Sequence, residues 1–161
     1  MKAAARSAVL FLFLMAAGTP LLRAYHEEIG VMPDEIWKAL HDLLGAGGIE
    51  REDAAKWEMD TAWKDDVVRR GRGFLKAFMK SRYDRRYRFR ILLVEKQYAT
   101  AVFIRGTFRE KPINAHPSVQ WQAIQPESED YGLELEFFKA LIAQLSKNRL
   151  TSPPQDPAIE K

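Results

Sequence analysis

The chain contains no cysteine. This excludes a disulfide framework, a thiolate metal site, a cysteine nucleophile and a lipoprotein anchor, which is built on a cysteine thiol. Histidine is scarce: His26, His41 and His116 fall on an expected strand, a polar helix face and a proline-rich loop, with no pair at the i, i+4 spacing of a metal-binding helix. Ser81, Ser118, Ser128 and Ser146 lack the glycine elbow that exposes a nucleophile. Gly71-Arg72-Gly73 lacks the rest of a phosphate loop and a preceding nucleotide-binding βα unit. Glu58, Asp60, Asp65 and Asp66 are the densest carboxylates, yet they have neither the glycine turn nor the ligand spacing of a calcium loop, so they read as a solvated strand face. No catalytic constellation and no cofactor site is expected.

Acidic residues are missing from the first 24 positions, where Lys2 and Arg6 precede the apolar run Val9 to Ala17, and Leu22-Arg23-Ala24 ends on a small residue. That pattern predicts an export signal over 1–24, with the mature chain starting at Tyr25. Gly18, Thr19 and Pro20 cut the run short of the roughly 20 residues that span a bilayer. The alternatives are an uncleaved anchor and a buried N-terminal helix. Removing the signal removes three cations, leaving 22 basic against 22 acidic residues, so the overall basic pI does not argue for nucleic-acid affinity. The charge is polarised instead: Tyr25 to Val68 has four basic and 12 acidic residues, whereas Arg69 to Arg90 has ten basic and one acidic.

Periodicity predicts a single α+β domain over 25–150, an antiparallel sheet packed against two helices, with a disordered proline-containing tail over 151–161. Strands are expected at Tyr25 to Val31, Ile49 to Asp53, Lys56 to Lys64, Tyr87 to Val94, Thr100 to Phe108 and Val119 to Ile124. Trp57, Met59, Thr61 and Trp63 alternate along the third and point to the core. Helices are expected from Pro33 to Leu44, and from Ser128 onward with an apolar stripe of Tyr131, Leu135, Phe138, Leu141, Ile142 and Leu145. Between strands, Arg69 to Gly73 reads as a mobile loop and Phe74 to Arg82 as a short basic amphipathic helix, while Glu110 to Pro117 reads as an irregular link.

Several of these features resemble the helix-grip domains of BamC, an accessory lipoprotein of the outer-membrane β-barrel assembly machinery. They are the helix Pro33 to Leu44 ending in glycines, Gly48-Ile49 leading through Asp53 to Asp60-Thr61-Ala62-Trp63, the run Arg85-Arg86-Tyr87-Arg88-Phe89-Arg90 opening an apolar strand, and Trp121 before an acidic turn and a leucine-rich helix. The resemblance implies a helix-grip-like, non-enzymatic envelope domain that works by protein contact. No lipid-bearing cysteine follows the signal here, and one such domain is present where the family protein has two.

The expected contact surface is the basic connection: Arg69, Arg70, Arg72, Phe74, Lys76, Phe78, Lys80 and Arg82. Its partner is an envelope protein. Cations interleaved with aromatics also suit an anionic membrane surface; export argues against nucleic acid. The competing readings are that Phe74, Leu75, Phe78 and Met79 cover an open end of the core, or that the basic segment pairs with the acidic N-terminal section of the same or another copy. The functional alternative is a periplasmic carrier holding a lipid or other apolar molecule between sheet and helix, lined by Trp57, Trp63, Trp121 and Phe138.

Overall fold

The computed structural model describes residues 24–71, 80–125 and 128–151. Residues 1–23 of the expected export signal, the tail after Thr151, and Arg72, Phe74, Lys76 and Phe78 of the basic connection lie outside the described residues. The elements are β1 (Tyr25–Ile29), α1 (Pro33–Leu44), a 3-10 turn (Ala46–Gly48), β2 (Ile49–Asp53), β3 (Glu58–Thr61), β4 (Lys64–Gly71), β5 (Lys80–Glu95), β6 (Thr100–Pro112), β7 (Gln122–Ala123) and α2 (Ser128–Thr151). All pair in one antiparallel, seven-stranded sheet ordered β1-β6-β5-β3-β2, with β4 also on β5 and β7 also on β6. This is the expected α+β arrangement of an antiparallel sheet with two helices.

The hairpin of β5 and β6 is the frame. Tyr87 faces Phe108, Ile91 faces Ile104 and Leu93 faces Val102, and these side chains meet Ile36, Leu40, Phe137, Leu141 and Leu145 of the two helices. Among the described residues every buried apolar one lies between Val31 and Leu145. Pro33 opens α1 where no N–H is needed, Asp34 and Glu35 complement its positive end, and Gly45 at φ 62° ends it. Among the described residues no helix is long and apolar enough to cross a membrane.

Four expectations change. The strand expected over Lys56 to Lys64 breaks: β3 stops at Thr61, and the chain steps over Ala62 and Trp63 into β4. That step cancels the alternation, so Trp63 leaves the core side and stacks beneath two arginines, while Trp57 sits in a turn at φ 55° against Trp37, ring centres 5.5 Å apart. Arg69 to Gly71 is strand, not loop, and Lys80 to Arg82 opens β5 instead of closing a helix, because the two segments pair with each other residue for residue. Glu110 to Pro112 continues β6, and the strand expected over Val119 to Ile124 shrinks to Gln122–Ala123. On α2, Leu135 is exposed while Asp130, Glu134, Phe137, Leu141 and Leu145 form the buried stripe. Apolar spacing misplaces that face because two of its five positions are acids whose polar groups are satisfied by the sheet.

Candidate functional site

Period-two alternation along β5 puts Arg82, Asp84, Arg86, Arg88 and Arg90 on the face away from the helices. The register with its neighbours sets like charges directly opposite each other three times: Arg69 against Arg82, Arg86 against Arg109, and Arg90 against Arg105. Lys111 follows two residues after Arg109 on β6. Two tryptophans cap this row. The Arg88 and Arg109 guanidiniums lie 4.8 and 5.0 Å from the Trp63 ring centre. Arg86 and the Lys111 ammonium lie 4.2 and 4.7 Å from that of Trp121. Cations over aromatic faces are each worth about 0.5–1 kcal/mol at such exposed sites, so the rings hold the charges in place without neutralising them.

Part of the charge is matched internally. Arg86 donates to Asp65 at 3.1 Å, Arg88 to Glu50 at 2.7 Å and Arg90 to Asp60 at 2.8 Å. The hydrogen bond from Arg90 holds the Asp60 carboxyl below the ordinary carboxylate value, against the opposing effect of burial. The basic segment therefore does pair with acids of the N-terminal section within the same copy. The four densest carboxylates are not a free solvated face, since each carries an arginine. Among the described residues no cluster of potential ligands suits a metal. Arg69, Arg82, Arg105, Arg109 and Lys111 have no carboxylate within 4.0 Å among the described residues.

Beneath this end of the sheet, on the helix side, is a buried charge cluster. Arg70 donates through one nitrogen to both Asp130 oxygens at 2.7 Å and through Nε to Glu110. Arg85 reaches Asp130 at 2.5 Å and grips Asp66 with two nitrogens, one at 2.8 Å. Desolvation opposes both guanidiniums, and the surrounding carboxylates outweigh it, holding their pKa values above the ordinary arginine value. β4, β5 and β6 are thereby tied to the first turn of α2. Arg70, expected at the contact surface, is instead 7 % exposed and structural. A polar residue on a strand read as loop carries no signal of this kind.

The remaining expected contact residues divide. Arg69 and Arg82 are exposed and lie opposite each other on the outer face; Lys80 opens β5. The residues missed are Arg105, Arg109, Lys111, Trp63 and Trp121. Arg105 already lay in the expected strand, and extending the β6 alternation past Phe108 would have found Arg109 and Lys111, whereas Trp63 required knowing where β3 ends. The expected carrier lining does not assemble, since Trp63 and Trp121 are on the opposite face from the helices. A cleft of about 180 Å³ lies elsewhere, between the helices and β5, bounded by Tyr87, Phe89, Leu133, Phe137, Lys64 and Glu136.

No family model matches the chain, and no curated protein matches it. Among solved structures, it is similar to a DUF4468 family protein from Bacteroides ovatus, with 10% identity over 83% of this chain and 89% of that one and a TM-score of 0.45.

Proposed function

We propose that the chain is an exported, non-enzymatic envelope module that holds an acidic segment of a partner protein on the outer face of its sheet. The observation that carries this reading is the set of three arginine pairs placed directly across strands. Like charges so placed cost stability in the free protein and are relieved when carboxylates settle between them. Such a violation of sheet design is expected where a surface is kept for binding. Acids at Glu50, Asp60 and Asp65 interrupt the positive field, which suits the discrete carboxylates of a polypeptide better than a uniform phosphate surface. Trp63 and Trp121 each carry cations on the ring, so neither is a free aromatic wedge for a bilayer. The resemblance to BamC domains makes components of the β-barrel assembly machinery the first partners to test. The carrier alternative has less support, because Trp63 and Trp121 of its expected lining lie on the face away from the helices.

The test is fluorescence anisotropy with residues 25–161 and a labelled peptide of about ten alternating glutamates and aspartates. Saturable binding that weakens with salt is expected, falling about tenfold or more when Arg105, Arg109 and Lys111 are changed to Gln, at about 0.5 kcal/mol per lost contact. Equal binding by the triple variant sinks the proposal. So does tighter binding of single-stranded DNA or phosphatidylglycerol vesicles at the same ionic strength.

A further inference from the structure

Glu134 is a carboxyl on the buried face of α2, 1 % exposed, and among the described residues no cation lies within 4.0 Å of it. Its oxygens accept hydrogen bonds from two backbone amides, Gly106 at 2.7 Å and Tyr25 at 3.2 Å. Neutral amides are meagre compensation for a buried carboxylate, and burial pushes its pKa up. The sheet is adapted to hold it all the same. Gly106 admits Glu134 and the Phe108 ring where a side chain would not fit, since an added Cβ would stand 3.2 Å from Glu134 Oε1 and closer still to the ring.

The second donor is the informative one. Tyr25 is the first residue of β1 and the residue that the signal pattern places at the mature N-terminus. Pairing with Ile104 and packing of the Tyr25 ring on Phe138, centres 5.1 Å apart, fix the position of its nitrogen. Hydrolysis of the Ala24–Tyr25 bond adds water across the peptide: Ala24 leaves with a new carboxylate, and the Tyr25 nitrogen takes up protons to become an α-ammonium. The neutral N–H facing Glu134 is thereby replaced by a cation. We propose that Glu134 is the receptor for the processed N-terminus, so that removal of the first 24 residues converts a buried carboxylate held by neutral amides into an ion pair and stabilises the mature fold. The inference rests on the export part of the proposed function and is independent of the acidic partner.

The charged groups around this pair are few. Tyr25 acts from β1 and Arg105 from β6. On α1, Glu35 and Asp42 are engaged with Arg149 and Asn148, toward the other end of α2. A charge-assisted bond is roughly twice as strong as a neutral one, so the pair should raise the folding equilibrium constant about tenfold. The sign with pH follows. An α-ammonium whose pKa is raised by folding stabilises fully below its unfolded value of about 7.7–8.0 and loses that contribution as pH rises through the folded value. With the amine blocked, Glu134 keeps its raised pKa, and stability falls as pH rises from the unfolded carboxylate value through the folded one.

The experiment compares residues 25–161 bearing a free Tyr25 amine with the same protein acetylated at that amine, which restores a neutral N–H. Urea unfolding at pH 6.5, about one unit below the amine's unfolded value, should show the free form about tenfold more stable. The advantage should fade above the amine's titration and vanish in Glu134→Gln. Equal midpoints overturn the pairing, as does an advantage that survives Glu134→Gln. If that variant does not fold, NMR titration of the α-amine in the parent decides: a pKa above the ordinary N-terminal value supports the pair, and an ordinary one overturns it. The intact mass of the protein recovered from cells tests the boundary separately. A first residue other than Tyr25 overturns the processing step, while the acetylation result still reports on the contact.

Discussion

Replacing Asp130 by Ala should be among the most damaging single changes in this domain. The carboxylate is 0 % exposed and accepts bonds at 2.7, 2.7 and 2.5 Å from Arg70 and Arg85. Each guanidinium retains one other acid, Glu110 for Arg70 and Asp66 for Arg85, so neither is stranded, but both lose the group they share. Breaking a buried ion network by removing one member costs about 3–5 kcal/mol. Loss of a negative charge from the first turn of α2 adds about 0.3–1 kcal/mol. Against a total stability of roughly 5–15 kcal/mol, that is a large fraction. At about 3–4 °C per kcal/mol for a domain of this size, the melting temperature should fall by about 10–20 °C. Urea unfolding followed by circular dichroism measures it, with an unchanged m-value confirming that the compact state is retained. A loss below about 1 kcal/mol would refute the reasoning, since it would mean that water reaches the cluster. The same logic makes a concerted change milder than a single one: Arg70→Met, Glu110→Leu and Asp130→Leu together should recover much of the loss, because Glu110 then leaves with Arg70 and Arg85 keeps Asp66. For contrast, Asp65→Asn, which breaks the exposed pair with Arg86, should cost no more than about 1 kcal/mol.

Three further outcomes are expected. Gly106→Ala should destabilise by about 1–3 kcal/mol in thermal melts, because its Cβ overlaps the Phe108 ring and crowds Glu134; a neutral result would show that the ring can swing aside. Arg105→Thr should leave stability unchanged or raise it by about 0.2–1 kcal/mol, since it removes the repulsion with Arg90, and a clear loss in chemical denaturation would contradict the reading of the outer face. Asp60 contributes stability above its unfolded carboxylate value, and that contribution is lost as pH falls through its depressed folded value. Asp60→Asn should therefore flatten the decline of stability below about pH 4; an unaltered acid-unfolding profile would count against the Arg90 contact.

Much of this architecture was legible from local pattern. The helix Pro33–Leu44 matched its expected bounds because proline, acids and glycine mark both of its ends. The faces of β5 and β6 followed from strict alternation. The illegible parts share one cause, which is that charge was read as exposure. Arg70, Asp130 and Glu134 are buried because other elements supply their partners across 28 to 109 residues of chain, and no window of sequence contains that information. Trp63 failed for a different reason: between β3 and β4 the pairing with β5 slips by one residue, Asp60 facing Arg90 but Lys64 facing Tyr87, which exchanges the faces of everything after it, and periodicity does not register such a step.

By itself, then, the sequence determined the absence of thiol chemistry, the signal pattern, the α+β class and the polarity of charge, because composition and short-range period act within a few residues. Only the tertiary structure decided which arginines are buried and which lie on the outer face. Strand register placed Arg69, Arg86 and Arg90 opposite Arg82, Arg109 and Arg105, and sent Arg70 and Arg85 to the other face to meet Asp130. In a sheet, one residue of register exchanges core for solvent, so the same arginine-rich run yields both a buried clamp and an open cationic surface.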